Sequence, residues 1–444
     1  MKLVYGVKDK PGFGQTIVFA LQQLLAILAA TILVPAIIKN GMSQSAALFG
    51  AGVGTLIYLL FTQFKSPVFL GSSFAFLGSM AAAFAGGVSA SLGFAGLIIG
   101  AFFAGLVYVV IAICVKFVGV GWINKLMPPV VIGPTVAIIG LSLAGNAIND
   151  SVGVARQGST FVMNARAGVS LVCALVTLFV TIICSVFGKK MLKMIPFIMG
   201  IVAGYLVATI FTLIGNSTSN EALKVIDFGA FSNLQWIPDF TFITGLKGFK
   251  ELDGSYLSTI AVAYIPVAFV VFAEHIADHK NISSIIETDL LVEPGLHRTL
   301  LGDGVGSMVG AFFGGCPNTT YGESIGCVAI SGNASIRTIF TAAILAIVTS
   351  FLAPFIAFLS TIPACVMGGV CIALYGFIAV SGLKMLQGVN LEDNANLFVV
   401  STILISGIGG LSLTFGKITL TSIACALILG IIVNLVLSRK KSED

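Results

Sequence analysis

Residues 316–326 read CPNTTYGESIG, and this polar stretch interrupts a chain that is otherwise strongly apolar. Its proline, two glycines, two threonines and one carboxylate, Glu323, do not suit an ordinary membrane helix. Of the 444 residues, 57% are hydrophobic and 9% are charged, whereas soluble globular domains are about 25% charged. The composition therefore predicts a bundle of membrane helices, and residues 316–326 are expected to break one of them.

The apolar runs have the length that crosses a bilayer as a helix, which is about 20 residues. They are too long and too little alternated for a membrane β-barrel. The first run has no small-residue cleavage pattern, so we expect it to be kept as the first membrane helix. The sequence predicts fourteen segments, at residues 13–38, 44–63, 67–85, 91–119, 129–148, 166–188, 193–215, 257–280, 299–314, 318–332, 334–360, 364–383, 394–411 and 417–438.

The lysines and arginines predict the orientation, because cytoplasmic loops carry an excess of them. An even number of segments places both termini on one side of the membrane. If that side is the cytoplasm, 16 of the 23 basic residues fall inside and 7 outside, three of them in one long loop at 216–256. This bias predicts cytoplasmic termini. It also accounts for the net charge of +5 without a nucleic-acid partner.

A second break has the same pattern as the first. KSPVFLGSSFAFLGSM (65–80) and GGCPNTTYGESIGCVAIS (314–331) each contain a proline, then an extended polar and aromatic stretch, then a short apolar run. They are the third and tenth segments, so each is third in its half of seven. Because seven is odd, the halves enter the membrane from opposite sides. The placement predicts inverted repeats with a substrate site at the paired breaks; packing kinks are the alternative.

Three carboxylates fall within predicted membrane segments and away from the loops. Glu274 and Asp278 lie in IPVAFVVFAEHIADHKNIS (265–283), four residues apart and thus on one helix face, and Glu323 lies in the second break. A charge at the bilayer centre costs at least about 2.5–3.5 kcal/mol, so such residues usually face a polar cavity where they have a function. We interpret all three as site residues, with a solvated helix end as the alternative for Asp278.

His275 and His279 are also four residues apart, but a metal needs further ligands. The chain has three histidines and no HExxH motif, and its eight cysteines form no CxxC and lie mostly in apolar segments. We therefore expect no metal site, two histidines that are hydrogen-bonded or lie at the membrane interface, and cysteines that act as small core side chains.

The residue types near the breaks favour a planar heterocycle over a metal cation as the substrate. Phe74, Phe76 and Tyr321 offer aromatic faces, carboxylates accept hydrogen bonds from ring N–H groups, and backbone N–H groups at the breaks donate to ring carbonyls. An intramembrane carboxylate can also carry a proton, which favours proton-coupled uptake.

Five motifs in this order resemble the nucleobase–ascorbate transporter family over essentially the whole chain, and TTYGE resembles its uracil branch. The motifs are SPVFLGSSFAF (66–76), AEHIADH (273–279), EPGLHRTLLGDG (293–304), CPNTTYGESIG (316–326) and IPACVMGGVCIALYG (362–376).

The resemblance implies an all-α polytopic membrane protein with 14 transmembrane segments in two inverted repeats of seven, and with short antiparallel strands in segments 3 and 10. It implies a core domain of segments 1–4 and 8–11, at residues 1–128 and 257–361. A gate domain would contain segments 5–7 and 12–14, at residues 129–256 and 362–444. The family often forms dimers, so a homodimer is an expected partner state.

The resemblance also implies proton-coupled import of uracil across the cytoplasmic (inner) membrane. Another nucleobase, xanthine or a related purine, is the alternative substrate. An anion is disfavoured because Glu274 and Glu323 would repel it. No protease-like motif supports an enzyme, and no cofactor other than the coupling proton is expected.

By motif, the resemblance assigns a role to each site residue. Glu274 and Glu323 would bind the polar edges of the pyrimidine, and Phe74 would stack on its ring. Tyr321 and Gly322 would line the pocket. Tyr375 would support the site from segment 12. Glu274 and Asp278 would form the proton-coupling pair.

Four positions depart from the family pattern. Gln23 and Asp278 stand where relatives have histidine, Ser324 where the family favours asparagine, and Ser331 where it has threonine. The substrate-facing acids are unchanged, so the departures concern the proton route.

Overall fold

A computed structural model describes residues 3–119, 121–154, 156–157, 160–189, 191–232, 234–415 and 418–440. Lys2, Lys190, Lys417 and Lys441, which contribute to the charge bias, lie outside the described residues. The helices are α1 (Phe13–Ile38), α2 (Gln44–Phe61), α3 (Leu77–Ala83), α4 (Ala90–Val118), α5 (Gly121–Leu126), α6 (Pro129–Ser142), α7 (Ala144–Val152), α8 (Ala165–Phe187), α9 (Met191–Met194), α10 (Pro196–Thr218), α11 (Thr241–Gly248), α12 (Gly254–Ile286), α13 (Leu296–Gly314), α14 (Gly322–Ser331), α15 (Ile336–Ser350), α16 (Ala353–Ser360), α17 (Ala364–Lys384), α18 (Asn394–Ile408) and α19 (Ser422–Lys440).

Six short strands accompany these helices in the described chain. They are β1 (Leu70–Ser72), β2 (Arg156–Gln157), β3 (Thr160–Phe161), β4 (Asn318–Thr320), β5 (Leu413–Phe415) and β6 (Ile418–Leu420). β2 pairs with β3 and β5 with β6 as antiparallel strands close in sequence, whereas β1 pairs with β4, about 250 residues further along the chain.

Eight helical stretches of the described chain are long and apolar enough to cross a membrane: α1, α2, α4, α6 with α7, α8, α10, α12 and α17 with the turn after it. A ninth is formed if α15 and α16 count as one span, although they are bent by 82° relative to each other. The α3 region, α18 and α19 are shorter apolar helices. The protein is therefore a mostly helical, multi-pass membrane protein.

Several helices begin where the sequence supplies a side-chain cap for their free N–H groups. In each case an oxygen of the capping residue accepts from the backbone N–H three residues later. The caps are Ser43 before α2, Ser89 before α4, Asn164 before α8 and Asp253 before α12. Proline at the first helical position starts α6 and α10, where its missing N–H costs nothing.

The two sequence breaks meet as an antiparallel pair of strands, in which Leu70 lies opposite Thr320 and Ser72 opposite Asn318. Two further bonds extend the pair, from the N–H of Ser73 to Pro317 O (2.9 Å) and from that of Tyr321 to Phe69 O (3.2 Å). The breaks thus satisfy each other's backbone groups, which explains how extended chain is tolerated inside a helical membrane protein.

Small residues bring α2 and α13 into close contact beside this strand pair. A Cβ atom on Gly50 would overlap the backbone oxygen of Gly310. The side-chain amide of Asn318 donates to Gly50 O at 3.0 Å and so ties β4 to α2. Small residues at such contacts are the usual means by which membrane helices approach closely.

The helices pack as two groups. In the first, α13 packs on α2 and α4, α12 packs on α4, and α15 packs on α1 and α2. In the second, α17 packs on α6, α7 and α8, α10 packs on α8, and α18 packs on α6 and α19. The first group also contains α14, which packs on α1 and α12. A cavity lies where α12 and α14 of this group face α10 and α17 of the second.

Candidate functional site

A cavity of about 320 Å³ lies between the two groups of helices. Four of the predicted site residues line it: Glu274, Asp278, Gly322 and Glu323. The rest of the wall is largely apolar, with Phe197 from α10 and Phe377 from α17 among its members. A mostly apolar cavity with a few converging polar groups is the usual form of a small-molecule site.

The local fold explains how the three carboxylates converge. Glu274 and Asp278 lie one turn apart on α12, and Glu323 lies in the first turn of α14, directly after β4. The start of α14 also supplies N–H groups without intrahelical partners and the positive end of the helix dipole, which favour a carboxylate or a ligand oxygen. The strand pair therefore brings acids that are 49 residues apart in sequence (Glu274 and Glu323) to one cavity.

Asp278 also accepts a hydrogen bond from a residue outside the cavity wall. The hydroxyl of Thr320, the last residue of β4, donates to Asp278 Oδ2 at 2.6 Å. Thr320 is buried and does not line the cavity. Asp278 is therefore connected to the strand pair as well as to its own helix.

The three predicted aromatic site residues do not line this cavity. Tyr321 is 4% exposed, and its hydroxyl donates to Ser72 O at 2.7 Å, so its ring braces the strand pair where we had expected it to line the pocket. Phe74 packs edge-on against Tyr375, with 5.8 Å between ring centroids. The contact gives Tyr375 a supporting position behind Phe74, and stacking of Phe74 on a substrate stays a prediction.

The two α12 histidines form a buried network on another face of the helix. His275 places Nδ1 at 2.7 Å from Asp303 Oδ2 and Nε2 at 3.0 Å from Thr299 Oγ1. His279 donates from Nδ1 to His275 O (2.8 Å), and its Nε2 lies 2.6 Å from the Tyr58 hydroxyl. All four ring nitrogens thus have partners within the protein, as expected of hydrogen-bonded histidines. In the described part of the chain, no group of three or more His, Cys, Asp or Glu residues could hold a metal.

Asp303 corrects the sequence interpretation, which had placed only three acids away from the loops. This fourth carboxylate lies within α13 and is completely buried. It lies inside the predicted segment 299–314, and this position was the available signal. Asp303 lies near the predicted start of that segment, where an acid suggests a solvated helix end.

Two of the four departures from the family pattern contact each other. The Gln23 side-chain amide donates to Ser324 O at 3.2 Å, and the Ser324 hydroxyl accepts from the N–H of Phe69 at 3.2 Å. Both side chains are buried. These positions therefore join α1, the chain before β1 and α14 behind the cavity.

The cavity extends from the acids towards Lys193, Ser381 and Met385. Lys193 belongs to α9, Ser381 lies in the last turn of α17, and Met385 directly follows that helix. Lys193 and Lys384 belong to the set of basic residues that the charge bias assigns to the cytoplasm.

Comparison with known proteins gives full-length matches. The sequence pattern of the Permease family matches residues 14–416. A uracil permease of Bacillus subtilis (strain 168) is 38% identical over 100% of this chain and 97% of its own length. A uracil permease of Bacillus caldolyticus is 40% identical over 98% and 95%, and that of Escherichia coli (strain K12) is 34% identical over 97% and 93%.

Solved transporters share the fold at low sequence identity. The transmembrane domain of the cyanobacterial bicarbonate transporter BicA aligns with a TM-score of 0.63 and 16% identity over 97% of this chain and 99% of its own. The murine anion transporter Slc26a9 in its inward-facing state aligns at 0.65 and 13% over 98% and 69%. Together with the matches along the whole sequence, the fold leads to one conclusion: the chain belongs to the permease family and is a membrane transporter, not an enzyme.

Proposed function

We propose that the protein imports uracil across the cytoplasmic membrane together with protons. One observation carries the proposal: Glu274, Asp278 and Glu323 line a single cavity in a chain that is 34–40% identical to uracil permeases over nearly its whole length. Uracil is planar, with ring N–H donors and carbonyl acceptors, so its chemistry complements carboxylates and free backbone N–H groups.

In the bound state, Glu274 and Glu323 accept hydrogen bonds from the polar edges of the pyrimidine. The N–H groups that open α14, beginning at Gly322, donate to a ring carbonyl. Phe74 stacks on the ring and Tyr375 supports Phe74, which requires Phe74 to turn towards the cavity when substrate binds. Tyr321 contributes by holding the strand pair from which α14 begins.

The proton travels on the carboxylates of the cavity, and no other cofactor takes part. Glu274 takes up a proton from outside, binds substrate in that state and releases the proton inside. Asp278 lies one turn away on the same helix. Its negative charge disfavours a second negative charge on Glu274, or its carboxylate takes the proton from Glu274 and passes it on.

The architecture we propose has fourteen segments in two inverted repeats of seven, with β1 and β4 as the strands of segments 3 and 10. The core domain contains residues 1–128 and 257–361, and the gate domain contains residues 129–256 and 362–444. The packing of the helices in two groups with a cavity between them supports this division. Movement of the core against the gate then exposes the cavity to each side in turn.

The protein would reside in the cytoplasmic membrane with both termini inside the cell, which the distribution of lysine and arginine supports. It would associate as a homodimer. Its partners are uracil, protons and the lipid bilayer.

Uptake of labelled uracil into cells that lack their own uracil transporter tests the proposal. Wild-type uptake should rise with an inward proton gradient and collapse with a protonophore. Glu274→Gln should lower uptake about tenfold or more, because glutamine cannot take up and release the coupling proton. Glu392→Gln, at an exposed loop position, is the matched control and should behave as wild type.

Competition separates the two candidate substrates. Unlabelled uracil and 5-fluorouracil should compete at low excess, and xanthine should not. Stronger competition by xanthine would assign the protein to purine transport. Normal proton-dependent uptake by Glu274→Gln would remove Glu274 from the mechanism.

A further inference from the structure

We propose that Thr320 is a positioning residue that fixes the orientation of the Asp278 carboxyl group, so that any proton on Asp278 is carried by Oδ1. The inference deepens the proposed function and rests on it, since it concerns how the coupling proton is held. It names a residue outside the cavity and one oxygen atom of a residue that lines it.

The contact is short and rigidly placed. The Thr320 hydroxyl lies 2.6 Å from Asp278 Oδ2. Thr320 is 1% exposed and is held in the strand pair opposite Leu70. Leu70 is fixed in turn, because its N–H donates to Thr55 Oγ1 at 2.9 Å. A buried strand residue with these constraints cannot follow a movement of the Asp278 side chain without breaking the pair.

The hydroxyl also decides which oxygen of Asp278 is protonated. A hydroxyl has one hydrogen to donate, and among the described residues Asp278 Oδ2 is the acceptor that the structure gives Thr320. If Oδ2 carried the proton and donated it to Thr320, the hydrogen of Thr320 would be buried without an acceptor, which is unfavourable. Oδ2 therefore stays an acceptor, and the proton goes to Oδ1.

Protonation of Oδ1 rather than Oδ2 matters because of the groups that surround Asp278. Asp278 lines the cavity with Glu274 of its own helix and Glu323 of α14, whereas Thr320 lies outside the cavity wall. Asp303 of α13 is the other acid in its electrostatic surroundings, and Lys193 lies in the cavity wall. With Oδ2 held by the strand, a proton on Oδ1 is available to the cavity and to the neighbouring carboxylates.

Infrared spectroscopy of the purified full-length protein tests the assignment directly. The carbonyl band of protonated Asp278 is identified as the band that is lost in Asp278→Asn. In wild type this carbonyl is Oδ2 and accepts from Thr320, and hydrogen bonding lowers a carbonyl stretching frequency. Thr320→Val should therefore move the band to higher frequency, and Thr320→Ser should leave it in place.

The neighbouring residue provides a matched control. Thr319 is also buried in β4, at 2% exposure, but its hydroxyl makes no hydrogen bond within the described residues. Thr319→Val therefore makes the same chemical change without touching Asp278, and its band should coincide with that of wild type. If Thr320→Val does not fold, Thr320→Cys, which retains only a weak donor, should show a smaller shift in the same direction.

Uptake measurements give the functional consequence. Thr320→Val should lower proton-driven uracil uptake about tenfold, through loss of a hydrogen bond to a charged group, and Thr320→Ser should restore it. Uracil binding, measured by thermal stabilisation, should change less than uptake does. An unchanged band and unchanged uptake in Thr320→Val would overturn the inference. Absence of proton-dependent uptake in wild type would instead overturn the proposed function, while the infrared comparison still reports on Thr320.

Discussion

At the scale of single residues, a buried hydrogen-bonded pair and an exposed ion pair should differ in what they contribute to stability. Asp303 and His275 contact each other with both side chains fully buried. Removal of one partner leaves the other polar group buried and unpaired. We expect Asp303→Ala to lower the free energy of unfolding by about 1–3 kcal/mol, seen as a lower midpoint of thermal unfolding in detergent.

The control is the exposed pair of Lys65 and Glu293, whose charged atoms are 2.9 Å apart. The side chain of Glu293 is 68% exposed, so water replaces its partner when the pair is broken. Glu293→Gln should therefore leave the unfolding midpoint unchanged. An Asp303→Ala variant as stable as Glu293→Gln would show that the buried network does not stabilise the fold.

Spacing and hydropathy identified the cavity acids, because an acid in the middle of an apolar run is conspicuous and a spacing of four residues places two acids on one face of a helix. The same reasoning missed Asp303 and the contact between Thr320 and Asp278. It also did not reveal that Tyr321 turns back onto Ser72. The contact between Tyr321 and Ser72 joins residues 249 positions apart, and no local pattern in the sequence reports such a contact.

At the scale of secondary-structure elements, the pairing of β1 with β4 depends on a glycine. A Cβ atom on Gly71 would overlap the ring of Tyr321. Gly71→Ala should therefore push β1 away from β4 and displace the start of α14, at a cost of about 1–3 kcal/mol for overpacking. We expect a loss of uracil uptake together with a lower thermal unfolding midpoint.

Gly78→Ala is the control for this change. Gly78 lies in α3, and the nearest atom to an added Cβ is 3.9 Å away, on Thr421. Alanine also favours a helix relative to glycine. This variant should take up uracil normally, and normal uptake by Gly71→Ala as well would show that the close approach of Tyr321 is dispensable.

Helix bounds followed the sequence closely where a single straight helix crosses the membrane. The segment predicted at 13–38 is α1, and that at 364–383 is α17 with one further residue. The segment at 129–148 is instead two helices that extend to Val152, and that at 334–360 is bent by 82°. Hydropathy measures the length of an apolar run and not its direction, so these bends were not predictable from it.

At the scale of the whole molecule, the charge bias predicts the orientation in the membrane, and the residues that line the cavity indicate its access route. The charge bias assigns the loops with Lys189, Lys193 and Lys384 to the cytoplasm. The cavity extends towards Lys193, Ser381 and Met385. The sequence predicts the side of each loop, but only the structure shows towards which loops the cavity extends, because this depends on how the two groups of helices are packed.

These observations predict that the cavity is reached from the cytoplasm in this conformation. Ser381 is exposed and lines the cavity, and Ser232 is exposed in the long loop assigned to the outside. A charged, membrane-impermeant maleimide should label Ser381→Cys in inside-out vesicles only and Ser232→Cys in right-side-out vesicles only. Six of the eight native cysteines are buried and two are half-buried, so labelling of the parent protein should be weak and can be subtracted.

Uracil should slow the labelling of Ser381→Cys and leave that of Ser232→Cys unchanged, because Ser381 lines the cavity and Ser232 does not. The opposite sidedness for both variants would reverse the orientation, whereas labelling of Ser381→Cys from outside alone would mean that the cavity opens outward.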